Sequence, residues 1–381
     1  MSVQSGRWPE TYLDWNATAP LRPEAVAAAT AALAHCGNPS SVHRRGRAGR
    51  QMVERARETV AGMIGAAPDN LVFTSGGTEA NHLALIGAGR GRILVSAVEH
   101  DSVLRAVPAA EQIIVDGDGV VRLDALADLL AADDRPALVS VMLANNETGV
   151  IQPVAEIAAA AHARGAILHC DAVQAAGKIA LDVGAIGADL FTLSAHKLGG
   201  PAGVGALAAT GSIELAPLLR GGGQESGRRA GTENVPGIAG FAAAAKAAAE
   251  ELGRYDRVRV LRDALETEIL AVALDAIVIG AGVPRLPNTS AIAMPGMAAV
   301  TQVIALDLDG VMVSAGAACS SGKVGPSHVL TAMGLPPDVR SSTIRVSLGW
   351  STTEAEIERF IQSWTALYRR RRGFAQEARA A

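Results

Sequence analysis

The chain alternates short apolar runs with helical patterns from residue 71 to residue 208, and no other feature constrains the fold as strongly. Buried strands are predicted at 71–74, 93–96, 113–115, 138–143, 166–170, 190–193 and 203–208. Helices are predicted at about 23–34, 47–64, 123–131, 154–164 and 236–252. Strands that alternate with helices favour a mostly parallel sheet with helices on both faces. We therefore predict an α/β fold with a mostly parallel seven-stranded sheet.

The pattern changes after residue 252. A charged helix is predicted at about 255–274 and a last helix at about 354–372, with short strands at 276–279, 290–294, 311–314 and 344–347. This order is typical of a smaller α+β domain. We therefore predict a large domain at 12–252 and a small domain at 253–381, which also includes residues 1–11 and carries Cys319.

Polar residues follow the predicted strands of the large domain. They are Ser-Gly-Gly-Thr-Glu-Ala-Asn at 75–81, His100, Asn-Asn-Glu-Thr-Gly at 145–149, Asp171 and Lys197. Each of them alone is typical of a loop. Parallel crossovers bring strand ends together at one edge of a sheet, and open α/β sheets bind their ligands at that edge. We therefore expect these residues to gather at one site.

Lys197 and Asp171 form a pair with a specific chemistry. Burial lowers the pKa of a lysine towards the free amine that attacks a carbonyl. Pyridoxal phosphate needs a lysine for covalent attachment and an acidic residue that keeps its pyridine nitrogen protonated. A single lysine in such a place is most often solvated, and a single aspartate is most often a helix cap. Together the two residues predict a pyridoxal phosphate site.

The segment 75–81 predicts where a phosphate binds. Two glycines and a threonine at the start of a helix suit a phosphate, because free backbone amides and the helix dipole point at it. A glycine turn before a helix is common, so the match is weak by itself. The segment has neither the lysine of a Walker sequence nor the spacing of a dinucleotide-binding fingerprint.

Composition excludes several other classes. The formal net charge of -4 leaves no basic footprint for nucleic acid. Three cysteines without paired spacing argue against a disulfide framework and against a zinc site, so no metal is expected. The first ten residues lack a signal peptide pattern, and no apolar segment approaches the roughly 18 residues of a membrane span. We expect a cytoplasmic protein that does not associate with membranes.

The cysteines differ in their surroundings. Cys170 lies within a predicted strand and is expected to be buried and inert. Cys319 lies in Ser-Ala-Gly-Ala-Ala-Cys-Ser-Ser-Gly-Lys at 314–323, which is too rich in small residues for a rigid element. A cysteine on such a loop can be exposed and can move, and loops on a rigid scaffold commonly carry function.

Taken together, the segments of the chain resemble the NifS/IscS-type cysteine desulfurases of the class V aminotransferase group. The resemblance runs from about residue 12 to the Arg-Val-Ser-Leu-Gly segment at 345–349. It rests on Tyr-Leu-Asp-Trp-Asn-Ala-Thr-Ala-Pro at 12–20, Ser-Gly-Gly-Thr-Glu-Ala-Asn at 75–81, Glu-His at 99–100, Asn-Asn-Glu-Thr-Gly-Val-Ile-Gln-Pro at 145–153, His-Cys-Asp-Ala-Val-Gln at 169–174, Ser-Ala-His-Lys at 194–197, Gly-Gly-Gly-Gln-Glu at 221–225, Arg-Arg-Ala-Gly-Thr-Glu-Asn at 228–234 and Ala-Cys-Ser-Ser-Gly at 318–322.

The resemblance implies fold type I of pyridoxal phosphate enzymes and a homodimer. It also implies that L-cysteine is converted to L-alanine. The sulfur would pass as an enzyme persulfide to an acceptor, such as a scaffold protein for iron–sulfur cluster assembly.

The same resemblance assigns roles to single residues. Lys197 would hold the cofactor covalently and Asp171 would pair with the pyridine nitrogen. Gln174 would bond the phenolic oxygen, and His100 would stack on the ring and help to move protons. The remaining cofactor contacts are implied for Gly77, Thr78, Ser194 and His196 at the phosphate, for Thr232 from the partner subunit, and for Asn146.

Substrate binding and catalysis complete these assignments. Asn146 and Arg345 would hold the substrate carboxylate, for which the two-pronged guanidinium is suited. Lys197 would take the α-proton, and Cys319 would attack the substrate sulfur. Because only a thiolate attacks well, Cys319 needs a neighbour that accepts its proton, and His100 is the candidate.

Three alternatives remain open from the sequence. One is a selenocysteine lyase and another is an aminotransferase of the same fold, although transamination has no need of Cys319. The third is a sulfur-binding or scaffold protein that has lost turnover. A general role in iron–sulfur assembly and a dedicated nitrogenase role also remain open, with 228–234 leaning slightly towards the latter.

Overall fold

The computed structural model describes residues 10–35, 37–211, 213–316 and 327–380, with side chains as far as residue 371. Its strands are β1 Thr11–Tyr12, β2 Leu71–Thr74, β3 Arg92–Ser96, β4 Glu111–Ile113, β5 Ala137–Met142, β6 Ile167–Asp171, β7 Leu190–Ser194, β8 Gly205–Ala209, β9 Ile277–Val278, β10 Thr289–Ala293, β11 Val311–Met312, β12 Ser314–Ala315 and β13 Thr343–Ser347.

The α-helices of the same ranges are α1 Pro23–Leu33, α2 Arg44–Met63, α3 Gly77–Gly87, α4 Asp101–Leu104, α5 Leu123–Ala132, α6 Val154–His162, α7 Val183–Ile186, α8 Val235–Glu250, α9 Arg254–Val272, α10 Ala299–Leu308, α11 His328–Ala332, α12 Pro337–Ser342 and α13 Glu354–Ala380. Short 3-10 helices lie at Pro68–Asn70, Ala195–Lys197 and Gln224–Gly227. Among these helices there is no apolar stretch long enough to cross a membrane.

The central sheet has seven strands in the order β2-β8-β7-β6-β5-β3-β4. β8 runs antiparallel to both of its neighbours, whereas the other pairings are parallel. The prediction of a mostly parallel seven-stranded sheet is therefore confirmed. Because each βαβ crossover returns the chain in the same direction, the carboxyl ends of β3, β5, β6 and β7 share one edge.

One predicted strand is displaced. β4 ends at Ile113, and Val115 instead forms an isolated antiparallel bridge with Val121. The reason is a turn: the Asp116 amide bonds the Val120 carbonyl at 2.9 Å, and the Asp116 carboxylate accepts the Val120 amide at 2.9 Å. This local hydrogen bonding pulls the chain away from the sheet edge before residue 115.

Helices cover both faces of the central sheet. Neighbouring residues of a strand point to opposite faces. Val72 and Leu138 lie in one apolar cluster together with Leu83 of α3. Phe73 and Val139, the next residue along each strand, lie in the larger cluster formed with α1, α2, α6 and α8. The site edge is thus held by a sheet that is packed on both sides.

The later part of the chain forms a second core. β12-β13-β10-β9 make an antiparallel sheet, against which α9, α10 and α13 pack. Leu13 also belongs to this core, and β1 pairs in parallel with β11. The predicted domain boundaries near residues 12 and 253 remain predictions.

Candidate active site

An open cavity of about 280 Å³ lies at the carboxyl edge of the central sheet. It brings together ten residues that the sequence singled out: Gly77, Thr78, His100, Asn146, Asp171, Gln174, Ser194, His196, Lys197 and Arg345. Their convergence is observed directly, whereas the role of each residue stays a prediction. Thr232, another predicted residue, is not among the described residues that line the cavity, and Cys319 lies outside the described residues.

Lys197 and Asp171 reach this edge from adjacent parallel strands. Asp171 is the last residue of β6 and pairs with Thr192 of β7. β7 ends at Ser194, and the 3-10 helix Ala195–Lys197 then turns Lys197 towards the same opening. The register of two parallel strands therefore fixes the amine and the carboxylate at one site.

The amine of Lys197 is held by backbone carbonyls. Its Nζ donates to the oxygens of Asn16 and Ala17, each at 2.7 Å. These carbonyls belong to the segment that follows β1, so the amino-terminal part of the chain closes one side of the cavity. The lysine is thereby positioned by groups that carry no net charge.

A chain of hydrogen bonds joins Asp171 to His100. The Asp171 carboxylate accepts from Nδ2 of Asn81 at 2.8 Å and from the Val173 amide at 2.9 Å. The same Nδ2 of Asn81 lies 2.8 Å from Oγ of Ser102, which in turn lies 2.8 Å from Nδ1 of His100. Asp171 and His100, which are both expected to contact the cofactor ring, are therefore connected by hydrogen bonds through Asn81 and Ser102.

His100 is set up as a neutral imidazole. The Ser102 amide donates to its Nδ1 at 3.1 Å, so Nδ1 is an acceptor and the proton of the neutral ring lies on Nε2. Burial is the largest influence and lowers the pKa of His100; the Asp171 charge opposes this and the Lys197 charge adds to it. A neutral ring can stack on an aromatic ligand and can accept a proton.

His196 stands beside Lys197 at the cavity wall. Burial, with a smaller contribution from the charge of Lys197, lowers the pKa of His196 to about 4. Its Nδ1 lies 3.2 Å from Oγ1 of Thr18. The ring is therefore neutral near pH 7 and can serve as a hydrogen-bond donor to an anion.

The loop before α3 fits an anion. Gly76 and Gly77 bring the backbone close to β7 and β8: a Cβ at Gly77 would lie 3.0 Å from Cγ2 of Val173 and 3.5 Å from Cβ of Ser194. A Cβ at Gly205 of β8 would lie 2.6 Å from the carbonyl carbon of Gly76. These glycines let free amides at the start of an eleven-residue helix face the cavity.

Arg345 is positioned at the opposite wall. Its Nη2 bonds Oδ1 of Asp14 at 2.6 Å and its Nη1 bonds the Asn146 carbonyl at 3.0 Å. Its Nε is buried and has no hydrogen-bond partner among the described residues. A buried guanidinium with an unpaired donor suits an incoming carboxylate.

Thr232 is exposed and lies after the 3-10 helix Gln224–Gly227. In that helix Glu225 and Ser226 have φ angles of 47° and 56°, in the left-handed region that residues other than glycine rarely occupy. The Glu225 carboxylate accepts two bonds from Arg57, at 2.7 and 2.9 Å. The segment before Thr232 is thus fixed in place, and Thr232 is not among the described residues that line the cavity.

Cys319 lies outside the described residues, but the residues that flank 317–326 are described. Ser327 donates to Oε2 of Glu147 at 2.6 Å, and a Cβ at Gly316 would lie 2.6 Å from the same oxygen. Glu147 follows Asn146, which lines the cavity. Gly316 and Ser327, which flank the segment outside the description, therefore both lie next to Glu147, one residue after Asn146 of the cavity.

Two residues at the site were missed from the sequence. Asn16 lines the cavity and bonds Lys197, Gln174 and Lys178. Asn81 bonds Asp171. Both lie inside segments that the sequence analysis singled out, at 12–20 and 75–81, yet their contacts join residues far apart in the chain. An asparagine among mostly small or apolar residues is the sequence signal that could have identified both.

The fold is that of fold type I, the α/β class of pyridoxal phosphate enzymes. The chain belongs to the aminotransferase class-V family, whose sequence model matches residues 11–360. A cysteine desulfurase from Cereibacter sphaeroides is 46% identical over 366 residues, which cover 92% of this chain and 94% of the relative.

Solved structures agree with this membership. The X-ray structure of a NifS-like protein from Rickettsia africae ESF-5 matches with a TM-score of 0.88 and 35% identity, covering 94% of this chain and 99% of that one. A structure described as SspA in complex with cysteine matches with a TM-score of 0.75 and 27% identity, covering 89% and 98%. The resemblance to NifS/IscS-type cysteine desulfurases is therefore confirmed.

Proposed function

We propose that the protein is a pyridoxal phosphate-dependent cysteine desulfurase, which releases L-alanine from L-cysteine and passes the sulfur to an acceptor protein. The observation that carries the proposal is the meeting of Lys197 and Asp171 in a cavity whose other walls offer donors to a phosphate and to a carboxylate. The relatives named as cysteine desulfurases support it over most of the chain.

The residues of the cavity fit the cofactor. Lys197 supplies the amine and Asp171 the carboxylate for the pyridine nitrogen. The helix start at Gly77 and Thr78, with Ser194 and His196 opposite, offers donors to the phosphate. When bound, pyridoxal phosphate would withdraw electrons from the α-carbon of the substrate.

The side chains of the cavity supply binding and proton transfer. Arg345 orients the substrate by its carboxylate, and Asn146 beside it narrows that wall. Lys197 takes the α-proton, and its two carbonyl partners keep Nζ in place for that transfer. His100, neutral and partly buried, is the residue that helps to move the proton of an attacking thiol.

Cys319 is the group that receives the sulfur in this proposal. The C–S bond of L-cysteine breaks, an S–S bond forms at Cys319, and the carbon released takes up protons to give L-alanine. The products are L-alanine and a Cys319 persulfide, so atoms and electrons balance without an outside oxidant. Reduction of the persulfide, or its transfer to a scaffold protein for iron–sulfur clusters, returns the thiol.

A cytoplasmic homodimer is part of the same proposal. Thr232 is exposed, and the strained segment before it is held rigid by Arg57 and Glu225. An exposed hydroxyl on a rigid segment, outside the lining of its own cavity, is suited to complete the phosphate site of a partner subunit. The sparse cysteines favour a reducing compartment.

The test is the production of alanine and sulfide by the purified protein with L-cysteine and a thiol reductant. We expect Cys319→Ser to lose sulfide release, and Cys36→Ser, as the matched thiol control, to retain it. Sulfide release by Cys319→Ser at the rate of the native protein, with free cofactor removed, would overturn the role of Cys319. L-selenocysteine in the same assay separates the lyase alternative.

A further inference from the structure

Lys178 is a buried lysine that lies behind the cavity and is not among the residues that line it. Its side chain is 3% exposed. The whole chain has four lysines against 30 arginines, so a lysine buried here is an unusual choice. A buried ammonium is expensive to desolvate unless its hydrogen bonds serve a purpose.

The hydrogen bonds of Lys178 go to two side-chain amides. Its Nζ donates to Oε1 of Gln174 at 2.8 Å and to Oδ1 of Asn16 at 2.9 Å. Neither partner carries a charge. Burial lowers the pKa of Lys178, and the positive charges of Lys197 and Arg345 lower it further.

A lysine fixes which way an amide points. The Nζ of Lys178 donates to both neighbours, which uses both N–H donors even of a neutral amine, so the amide atom that faces it is the oxygen in each case. The nitrogen of Gln174 therefore lies on the other side, where it donates to the Asn16 carbonyl at 3.0 Å, and both Gln174 and Asn16 line the cavity. Without Lys178, Oε1 of Gln174 would lose its donor, and only the Asn16 carbonyl would still orient the amide.

The same lysine also fixes Asn16. Oδ1 of Asn16 accepts from both Lys178 and Asn288, so its Nδ2 must point to Oγ1 of Thr289 at 2.9 Å and to the Asn146 carbonyl at 3.2 Å. The backbone carbonyl of Asn16 is shared by Gln174 and Lys197. Asn16 thus connects Lys178 to the amine of Lys197 through hydrogen bonds.

We propose that Lys178 is a positioning residue, which turns the amide nitrogen of Gln174 into the cavity and so requires a hydrogen-bond acceptor in the ligand at that point. The inference rests on the proposed function for the identity of that ligand. In pyridoxal phosphate the acceptor is the ionised phenolic oxygen. A hydrogen bond to a charged acceptor is stronger than one between neutral groups.

The test measures the dissociation constant of pyridoxal phosphate from the apo-protein, in a double-mutant cycle. We expect Lys178→Met and Gln174→Ala each to weaken binding about tenfold, the effect of one lost hydrogen bond to a charged group. Because Lys178 acts through Gln174, the double variant should also bind about tenfold more weakly, not about a hundredfold. Lys246→Met, at an exposed position of α8, is the matched control and should bind as the native protein does.

The outcomes of this test distinguish a failure of the positioning role from a failure of the proposed function. Native affinity in Lys178→Met, or effects of the two changes that multiply, would overturn the positioning role and leave the proposed function intact. Lack of cofactor binding by the native protein would overturn the proposed function and this inference together. Lys178→Arg, which also has only donors, should restore most of the affinity, and a purely structural role would not predict that rescue.

The positioning role can still be tested if Lys178→Met does not fold. Should Lys178→Met fail to fold, Lys178→Gln takes its place, because its amide can satisfy Gln174 and Asn16 in either orientation. We expect Lys178→Gln to bind pyridoxal phosphate about threefold to tenfold more weakly than the native protein. Native affinity in that variant would contradict the positioning role.

Discussion

Two regions of the protein hold charged side chains in different ways. Beneath the exposed segment that carries Thr232, Arg57 and Glu225 form a direct two-pronged ion pair, to which the Phe73 amide adds a bond of 2.8 Å. Around the cavity, the ammonium groups of Lys178 and Lys197 are held by amides and backbone carbonyls. In the first region two opposite charges pair directly. In the second region the lysine nitrogens donate to amide and carbonyl oxygens that carry no charge.

The difference separates a structural device from a functional one. A buried ion pair fixes geometry, here a backbone that is strained at Glu225 and Ser226, and leaves little field around it. In the cavity, Lys197 is bound by backbone carbonyls, and Arg345 keeps a buried Nε that has no partner among the described residues. Donors placed in this way suit a phosphate and a carboxylate. We therefore expect substitutions in the ion pair to lower stability, and substitutions around the cavity to lower activity or cofactor affinity.

The largest effect is expected for Lys197→Ala. Alanine formation should fall about a thousandfold or more, because general acid–base catalysis alone contributes about 10²–10⁴-fold. The measurement is alanine release from L-cysteine with saturating pyridoxal phosphate. The free energy of unfolding of the apo-protein should change little. A rate within tenfold of the native protein would show that Lys197 is not the reacting amine.

Arg57→Met should lower the free energy of unfolding by about 3–5 kcal/mol, because it leaves the Glu225 carboxylate buried and unpaired. Urea unfolding of the apo-protein measures this change. Arg50→Met, at an exposed position on the same helix, is the control. A loss below about 1 kcal/mol would mean that the ion pair is not the structural device described above.

Asn81→Ala should weaken the binding of pyridoxal phosphate about tenfold, since Asp171 loses one of its two side-chain-orienting bonds and Ser102 loses a donor. Titration of the apo-protein with the cofactor measures it. Gln112→Ala on β4 provides an exposed control. If the affinity is unchanged, the link from Asp171 to His100 has no function in binding.

The smallest effect concerns pH. Burial lowers the pKa of His169, beneath Asp171, to about 4, from an unfolded value near 6.5. The unfolded chain thus takes up a proton that the folded chain refuses, so stability is complete above about pH 6.5 and is lost as the pH falls towards 4.

His169→Gln removes this titration. Between pH 7 and pH 5 we expect the variant to lose about 1–2 kcal/mol less stability than the native protein, measured by urea unfolding. Identical pH dependence in native protein and His169→Gln would rule out a buried neutral His169.

The sheet and the pairing of Lys197 with Asp171 could be predicted because both depend on local patterns. Buried parallel strands are continuous apolar runs, and the residue after each run must lie at the ligand edge. The strand predicted at 113–115 was wrong by two residues, because the side chain of Asp116 formed a turn that an apolar pattern does not show.

The amide network around Asn16 could not be predicted, for a physical reason. The side chain of Asn16 bonds residues 130 to 273 positions away, and a single sequence carries no record of which distant amides meet. Lys178 was passed over for the same reason: a lysine after a turn is normally solvated, and only the tertiary structure buries it. Local patterns thus predicted where the site lies, and tertiary contacts determine how it is oriented.

The most direct test of the central claim is to trap the cofactor with borohydride in the loaded native protein and to locate it by mass spectrometry of its peptides. The account predicts a pyridoxyl group on Lys197, which lines the cavity, and none on the buried Lys178 behind it. A label on Lys178, or on none of the four lysines, would contradict it.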